Sequence, residues 1–412
     1  MCLYSGQLDG CMKKKTTMIE DVFVLPRQFR AAGVFAGIKK NGAPDMAMLV
    51  SDVPGTAVAG TFTTNQVKAA SVKVCMKRIK SGKGRAVVIN SGNANACTGV
   101  QGELDAEAMA AATAQATGLP ASQVYVSSTG HIGARLPMDK ILPGIAALAA
   151  SLSDRNGMDA VQGIMTTDNG PKYGTVKLKI DGKPVIVSVM CKGAGMIEPN
   201  MATMLCYMLT DAAVDAKALA AALKSAVRES FNRISVDGDM STNDTVLLFA
   251  NGAAGNKKLK PGHPGWKSFT AAVLALCQQM AWKIIRDGEG AKKVIKVEVV
   301  GARTEKDAEL AARSVANSLL VKTSWHNDYP NFGRIMDALG YSAAKIVENK
   351  VDIRYDGKLL VKGGLRTSID VEEIKVIQRQ ELFTISINLH LGKGASHVFS
   401  CDCAHAYIDI NI

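Results

Sequence analysis

The sequence predicts an α/β protein of layered sheets covered by helices. Short β-branched runs such as Ala86-Val-Val-Ile-Asn90 and Val185 to Met190 alternate with longer alanine- and leucine-rich stretches of helical spacing. Asp181-Gly182 separates two strand-like runs and is a strong hairpin turn. Hydrophobic residues at 47% and charged residues at 21% describe an ordinary globular chain, and 412 residues suffice for two or three layers in two domains or lobes.

The totals narrow the function. No run approaches the ~20 consecutive apolar residues of a membrane span, and no apolar signal-peptide core stands at the start. Met12 and Met18 are alternative starts, which makes residues 1–18 a disordered extension. A net charge of +12 suits a nucleic-acid binder or an enzyme for anionic metabolites. The lysines and arginines are spread along the chain and aromatics are only 5%, so no stacking platform is apparent and the enzyme is favoured. Nine cysteines, an odd number without a CxxC pair, read as reduced thiols of a cytoplasmic protein. Cys401 and Cys403 share a strand face and read as packing, and the histidines show no metal-ligand spacing.

In chain order, Phe35 to Ile38, Met46 to Val50 and Ala57 to Phe62 read as strands punctuated by Gly, Pro and Asp. Ala86 to Asn90 is a clear strand that runs into Ser91-Gly-Asn-Ala-Asn-Ala-Cys-Thr-Gly99. That stretch is either a tight strand-to-helix connection or a place where uncovered amides approach a ligand. Glu103 to Thr117 is an alanine-rich helix stopped by Gly118-Leu-Pro120. Strand Gln123 to Ser127 delivers Ser128-Thr-Gly-His-Ile-Gly133, a turn before a helix from Met138 to Ser151; its N–H groups serve an oxyanion if aimed at a reacting carbonyl. Tyr173 to Ile180 and Val185 to Met190 form the hairpin, and Met204 to Leu209 is the next strand.

Ala216 to Phe231 is a helix with Leu219, Leu223, Val227 and Phe231 along one side. Ser235 to Thr245 is acidic and metal-like, but lacks the glutamate and spacing of an EF-hand loop and reads as a turn. Helices Phe269 to Arg286 and Lys306 to Leu320 flank strand Val294 to Val300, and Glu289 lies between glycines where the first helix stops. The ending is mainly strands: Val351 to Tyr355, Lys358 to Lys362, Leu382 to Leu389 and His397 to Cys401.

The most informative stretch is Lys192-Gly-Ala-Gly-Met-Ile-Glu-Pro-Asn-Met-Ala-Thr-Met-Leu205. Composition alone allows a plain glycine-rich connection that ends at one hydroxyl, Thr203. A hydroxyl is a weak nucleophile unless a base takes its proton. A chain-terminal amine, with a pKa near ~8, is such a base, whereas an amide is not. A threonine that begins a chain would therefore carry its own base.

This stretch closely resembles the self-cleavage segment of the ornithine acetyltransferase family, the glutamate N-acetyltransferases of arginine biosynthesis. Asn90 to Gly99, Ser128-Thr-Gly130, Ile164-Met-Thr-Thr-Asp168, Asp237 to Thr245 and Cys401 to Asn411 also resemble family segments. Asp328-Tyr-Pro-Asn-Phe-Gly-Arg334 departs from the family's Asp-Pro-Asn-Trp-Gly-Arg by the inserted Tyr329 and by Phe332. The resemblance runs from about residue 19 nearly to the end. It implies a self-processing α/β fold, like N-terminal nucleophile enzymes by analogy.

It further implies a cut between Ala202 and Thr203, giving an alpha chain of 19–202 and a beta chain of 203–412 in a heterotetramer of two each. Thr203 is the implied nucleophile, with the Thr129 hydroxyl and the Gly130 N–H as oxyanion hole. Thr166, Lys192, Glu289 and Asn411, with Thr203, are the implied substrate contacts; Lys192 suits a carboxylate and Glu289 an amine such as that of ornithine. The implied reaction carries acetyl from N-acetylornithine to glutamate through an acetyl-threonine, without metal or organic cofactor. Acetyl-CoA enters only if glutamate is also acetylated directly. A self-cleaving aminopeptidase or amidase that releases product to water is the alternative. The family closes on a further substrate-binding threonine that this sequence lacks, which implies a substitute group or weaker substrate binding.

Overall fold

The computed structural model describes residues 17–198 and 204–411, so Ala202, Thr203 and most of the expected extension lie outside the described residues. The first strands and helices are β1 (Phe29–Val34), β2 (Met46–Ser51), β3 (Ala57–Phe62), α1 (Ala70–Arg78), β4 (Ala86–Asn93) and α2 (Gly99–Thr117). β5 (Val124–His131), α3 (Met138–Ala150), α4 (Gly157–Gly163), β6 (Lys172–Ile180) and β7 (Lys183–Lys192) follow. Next come β8 (Leu205–Thr210), α5 (Ala216–Arg228), β9 (Thr245–Ala250), α6 (Trp266–Arg286) and β10 (Val294–Ala302). The chain continues through α7 (Glu305–Asn317), α8 (Leu319–His326), α9 (Phe332–Gly340), β11 (Asp352–Tyr355), β12 (Lys358–Lys362) and β13 (Leu365–Arg366). α10 (Val371–Gln378), β14 (Leu382–Asn388), β15 (Gly394–Cys401) and α11 (His405–Ile410) complete it.

The strands build three sheets, ordered β1-β2-β4-β5, β3-β9-β8-β7-β6 and β13-β12-β11-β14-β10-β15. The second sheet is covered on both faces. Cys206 and Met208 of β8 join the core made with α5 and α6, while Leu205, Tyr207 and Leu209 join the core shared with the first sheet. The two-residue side-chain period divides one apolar run between two cores, which explains why it lacks polar alternation. Helices α1 to α4 pack on the first sheet, so the layers run helix, sheet, sheet, helix. The third sheet keeps its own core with α7 to α10. Helix α6 is long and apolar enough to cross a membrane, yet its stripe of Phe269, Val273, Leu276, Met280 and Ile284 lies buried in a core.

Most expected elements are present, and the hairpin turns at Asp181 (φ 51°) and Gly182 (φ 76°), as a two-residue turn of this hand requires. Several boundaries differ for physical reasons. Phe35 to Ile38 is not a strand: Asp45 takes the N–H groups of Ala36, Ile38 and Lys39 at 2.6, 2.6 and 3.0 Å and curls the segment, leaving the strand upstream as β1. Ser128 to His131 is not a turn but the end of β5, held parallel to β4 as far as Gly92 and Asn93. The helix expected over Lys306 to Leu320 breaks at Ser318, whose hydroxyl caps α8 through the Val321 N–H. The ending also carries α10 and α11, and α5 stops at Arg228 while Phe231 stays in the core.

Tyr125 of β5 and Phe249 of β9 meet edge to face between the first two sheets, 6.0 Å apart at 88°. Phe249→Ala should cost about 3–5 kcal/mol through the cavity it leaves. Urea unfolding should show a lower midpoint with an unchanged slope.

Candidate active site

The connection between β7 and β8 is gripped on both sides of residues 199–203. Gly193 N–H donates to Asp168 Oδ1 at 2.7 Å, and Glu289 N–H donates to the Ala194 carbonyl at 3.1 Å. Met196 and Ile197 N–H groups both reach Asp237, at 2.6 and 2.9 Å. Glu198 meets Arg313 at 3.4 Å and Asn317 at 3.0 Å. On the far side, Met204 N–H donates to Asp244 Oδ1 at 3.2 Å. Buried backbone donors need partners, and here carboxylates supply them. The metal-like acidic turn is thus occupied with backbone. Among the described residues, no group of His, Cys, Asp and Glu is placed to hold a metal.

The end of β5 carries Thr129, which is buried, and Gly130 at φ 131°. A side chain at Gly130 would sit 2.3 Å from the Gly92 backbone, so only glycine fits here. Asn243 fastens this strand to the acidic turn: its amide donates to the carbonyls of Ser128 at 2.7 Å and Ala94 at 2.6 Å. Asp244, the next residue, is the one that holds Met204. Its carboxyl is buried, and burial pushes it well above the usual carboxylate range.

Of the expected substrate residues, Thr203 lies outside the described residues, and Thr166, Lys192, Glu289 and Asn411 belong to one network. Glu289 is buried and receives the Thr167 hydroxyl at 2.7 Å and the Asn411 amide at 2.8 Å. Its carboxyl lies where a Gly195 side chain would be, within 2.3 Å of that position. Thr167 makes this contact, while the neighbouring Thr166 gives its N–H to Asp168 at 3.0 Å. Lys192 is buried, and burial lowers its pKa against the pull of Asp168 and Glu289. Burial also pushes the Asp168 carboxyl up, but Lys192, Lys172 and the Gly193 N–H outweigh it and hold the value at about 2. Lys172 bonds Asp168 at 2.7 Å and also Asp287. Lys39 adds a further amine, bonded to the Met165 and Pro44 carbonyls at 2.6 and 2.8 Å.

Sequence reading did not single out Lys39, Lys172 or Asp287, nor give a role to Asp168. A lysine after a proline and an aspartate at a helix end look like surface residues until the layers enclose them. Asn331 and Arg334 serve structure: the first caps α9, and the second bonds the Leu320 carbonyl at 2.6 Å. Burial pushes the thiols of Cys75, Cys191 and Cys277 up to about 12, which suits core packing and not nucleophilic work.

A cationic side chain and a carboxylate brought close at one end of the layered sheets suit a small zwitterion, and strand-end amides suit a carbonyl. The class these features define is an α/β acyltransferase. The chain belongs to the ArgJ family, whose model matches residues 30–412. The arginine biosynthesis bifunctional protein ArgJ of Symbiobacterium thermophilum is 46% identical over 388 residues, 94% of this chain and 96% of that one. That of Geobacter sulfurreducens is 44% identical over 384 residues, 93% and 98% of the two chains. Among solved structures, ornithine acetyltransferase complexed with ornithine from Mycobacterium tuberculosis is 44% identical. That match covers 45% of this chain and 98% of the other, with a TM-score of 0.43.

Two outcomes follow from this geometry. Asn243→Ala leaves the Ser128 and Ala94 carbonyls without their donor and should cost about 1–3 kcal/mol in chemical unfolding. Asp168, held at about 2, lies below its unfolded value near ~3.9. Its contribution is complete above the unfolded value and is lost as pH falls through the folded one. Unfolding free energies measured at steps between about pH 5 and 2 should therefore fall less steeply in Asp168→Asn than in the parent.

Proposed function

We propose that the protein transfers acetyl from N-acetylornithine to glutamate with Thr203 as the carrier. The chain is first cut between Ala202 and Thr203 into segments 19–202 and 203–412. The observation that carries this reading is the Asn243–Asp244 dipeptide. One residue holds the strand of Thr129 and Gly130, and the next holds Met204, so the oxyanion donors and the residue beside Thr203 share one brace.

In the first half-reaction the Thr203 hydroxyl attacks the acetyl carbonyl carbon, and its proton passes to the Thr203 α-amine. The carbonyl oxygen becomes an oxyanion received by the Gly130 N–H and the Thr129 hydroxyl. As the C–N bond breaks, the departing nitrogen takes the proton from the α-ammonium, leaving ornithine and an acetyl ester on Thr203. The amine of glutamate then attacks that ester by the same steps, and N-acetylglutamate leaves. Lys192 receives the substrate carboxylate, and Glu289, steadied by Thr167 and Asn411, receives the free amine of the ornithine side chain. Thr166 lines the same segment. In maturation the hydroxyl attacks the Ala202 carbonyl, and water releases the resulting ester. The reaction needs no metal or organic cofactor; acetyl-CoA would be a co-substrate for direct acetylation of glutamate. The working form is a cytoplasmic heterotetramer of two alpha and two beta segments.

Intact mass of the purified protein should give two fragments, one beginning at Thr203, and Thr203→Ala should give one full-length chain. Thr129→Ala should process more slowly and lose on the order of 10²–10³ in kcat through the missing oxyanion donor. Initial rates with both substrates varied should follow ping-pong kinetics. Acetyl release at an undiminished rate without glutamate would instead favour the amidase reading.

A further inference from the structure

Lys172 stands at the start of β6, opposite Cys191 in the ladder and so beside the residue that precedes Lys192. Its side chain is only 3% exposed. Its ammonium bridges two carboxylates: Asp168 at 2.7 Å, and Asp287, the residue that ends α6. Each carboxylate leads to one of the proposed substrate contacts. Asp168 also receives the Gly193 N–H at 2.7 Å, one residue past Lys192. Asp287 lies two residues before Glu289 and is held again by Asn169, whose N–H and amide reach it at 3.1 and 2.8 Å. Between these bonds, Thr167 reaches Glu289 directly.

A buried ion pair is a poor source of stability, because removing both charges from water offsets most of their attraction. What such a bridge supplies is registry between the elements that carry its ends. Here the elements are the β6–β7 hairpin, which bears Lys192, and the turn that follows α6, which bears Glu289. We infer that Lys172 is a positioning residue: with Asp168 and Asp287 it sets the spacing between the carboxylate contact, Lys192, and the amine contact, Glu289. This rests on the roles proposed above for those two residues. The consequence is selective. Both amino-acid substrates carry an α-carboxylate, whereas only the ornithine side carries a side-chain amine. Loosening the Asp287 end should affect ornithine alone, and loosening Lys172 or Asp168 should affect both.

Calorimetry of ornithine and of glutamate binding to the full, acetyl-free protein reads this directly. Asp287→Asn should weaken ornithine by about 10- to 100-fold and leave glutamate within about threefold of the parent. Lys172→Met and Asp168→Asn should weaken both ligands, and Lys172→Arg, which keeps a charge able to span the two carboxylates, should recover most of the loss. Variants that lower the melting temperature while both affinities hold would overturn the inference, as would Asp287→Asn weakening both ligands equally. Glu289→Gln separates the layers: if it leaves ornithine binding unchanged, the role of Glu289 fails and this inference with it. If it weakens ornithine while Asp287→Asn and Lys172→Met do not, only the positioning role of Lys172 fails.

Discussion

Carboxylates that accept backbone N–H groups are the constraint on which the site depends. Asp168, Asp237 and Asp244 take the amides of Gly193, Met196, Ile197 and Met204, on both sides of the residues where the chain is proposed to be cut. Such bonds hold main chain without using any side chain of the gripped segment. That matters where the segment is built from small residues: Gly195 cannot carry a side chain because the Glu289 carboxyl fills the space. A peptide that is to be broken and then act must be held by bonds outside the one that breaks. These carboxylates meet that condition, and each comes from a different loop or turn from the one it holds.

Burial gives those charges their reach. In the enclosed end of the sheets the lysines and carboxylates are paired at short range, with Asp168 kept ionised to about pH 2 by Lys192 and Lys172. Asp244, with less compensation, is driven the other way. Two aspartates that look alike in the sequence are thus set to opposite protonation tendencies by their neighbours. Asp244 beside Met204, pushed up by burial, and Asp168 beside Gly193, held down by lysines, form an asymmetric field around the connection. Its sign follows from packing and not from the overall charge of +12.

Much of the fold was legible because its causes are local. Ala86 to Asn90, the Asp181-Gly182 hairpin and the long helix before Asp287 each follow from periodicity or turn chemistry within a dozen residues. The misreadings share one origin. Phe35 to Ile38 has strand composition, but Asp45 claims its amides; Ser128 to His131 has turn composition, but the parallel partner β4 extends it. In both, a partner outside the segment itself supplied bonds that the segment's own propensity does not count. The Asn-Asp pair at 243–244 was visible as part of an acidic motif, while its use as a brace between β5 and β8 was not.

The sequence by itself determined the α/β class and the family. Each of these is written in residue type and spacing, which survive without coordinates. Only the tertiary structure decided that Thr167 makes the Glu289 contact, that Asn411 returns from the far end of the chain to the same carboxylate, and that Lys172 is buried between two acids. The bonds of Glu289 to Thr167 and Asn411 and of Lys172 to Asp287 join residues 115 to 122 positions apart, and their energy comes from excluding water between them. No stretch of sequence encodes that exclusion alone; it exists once the layers close.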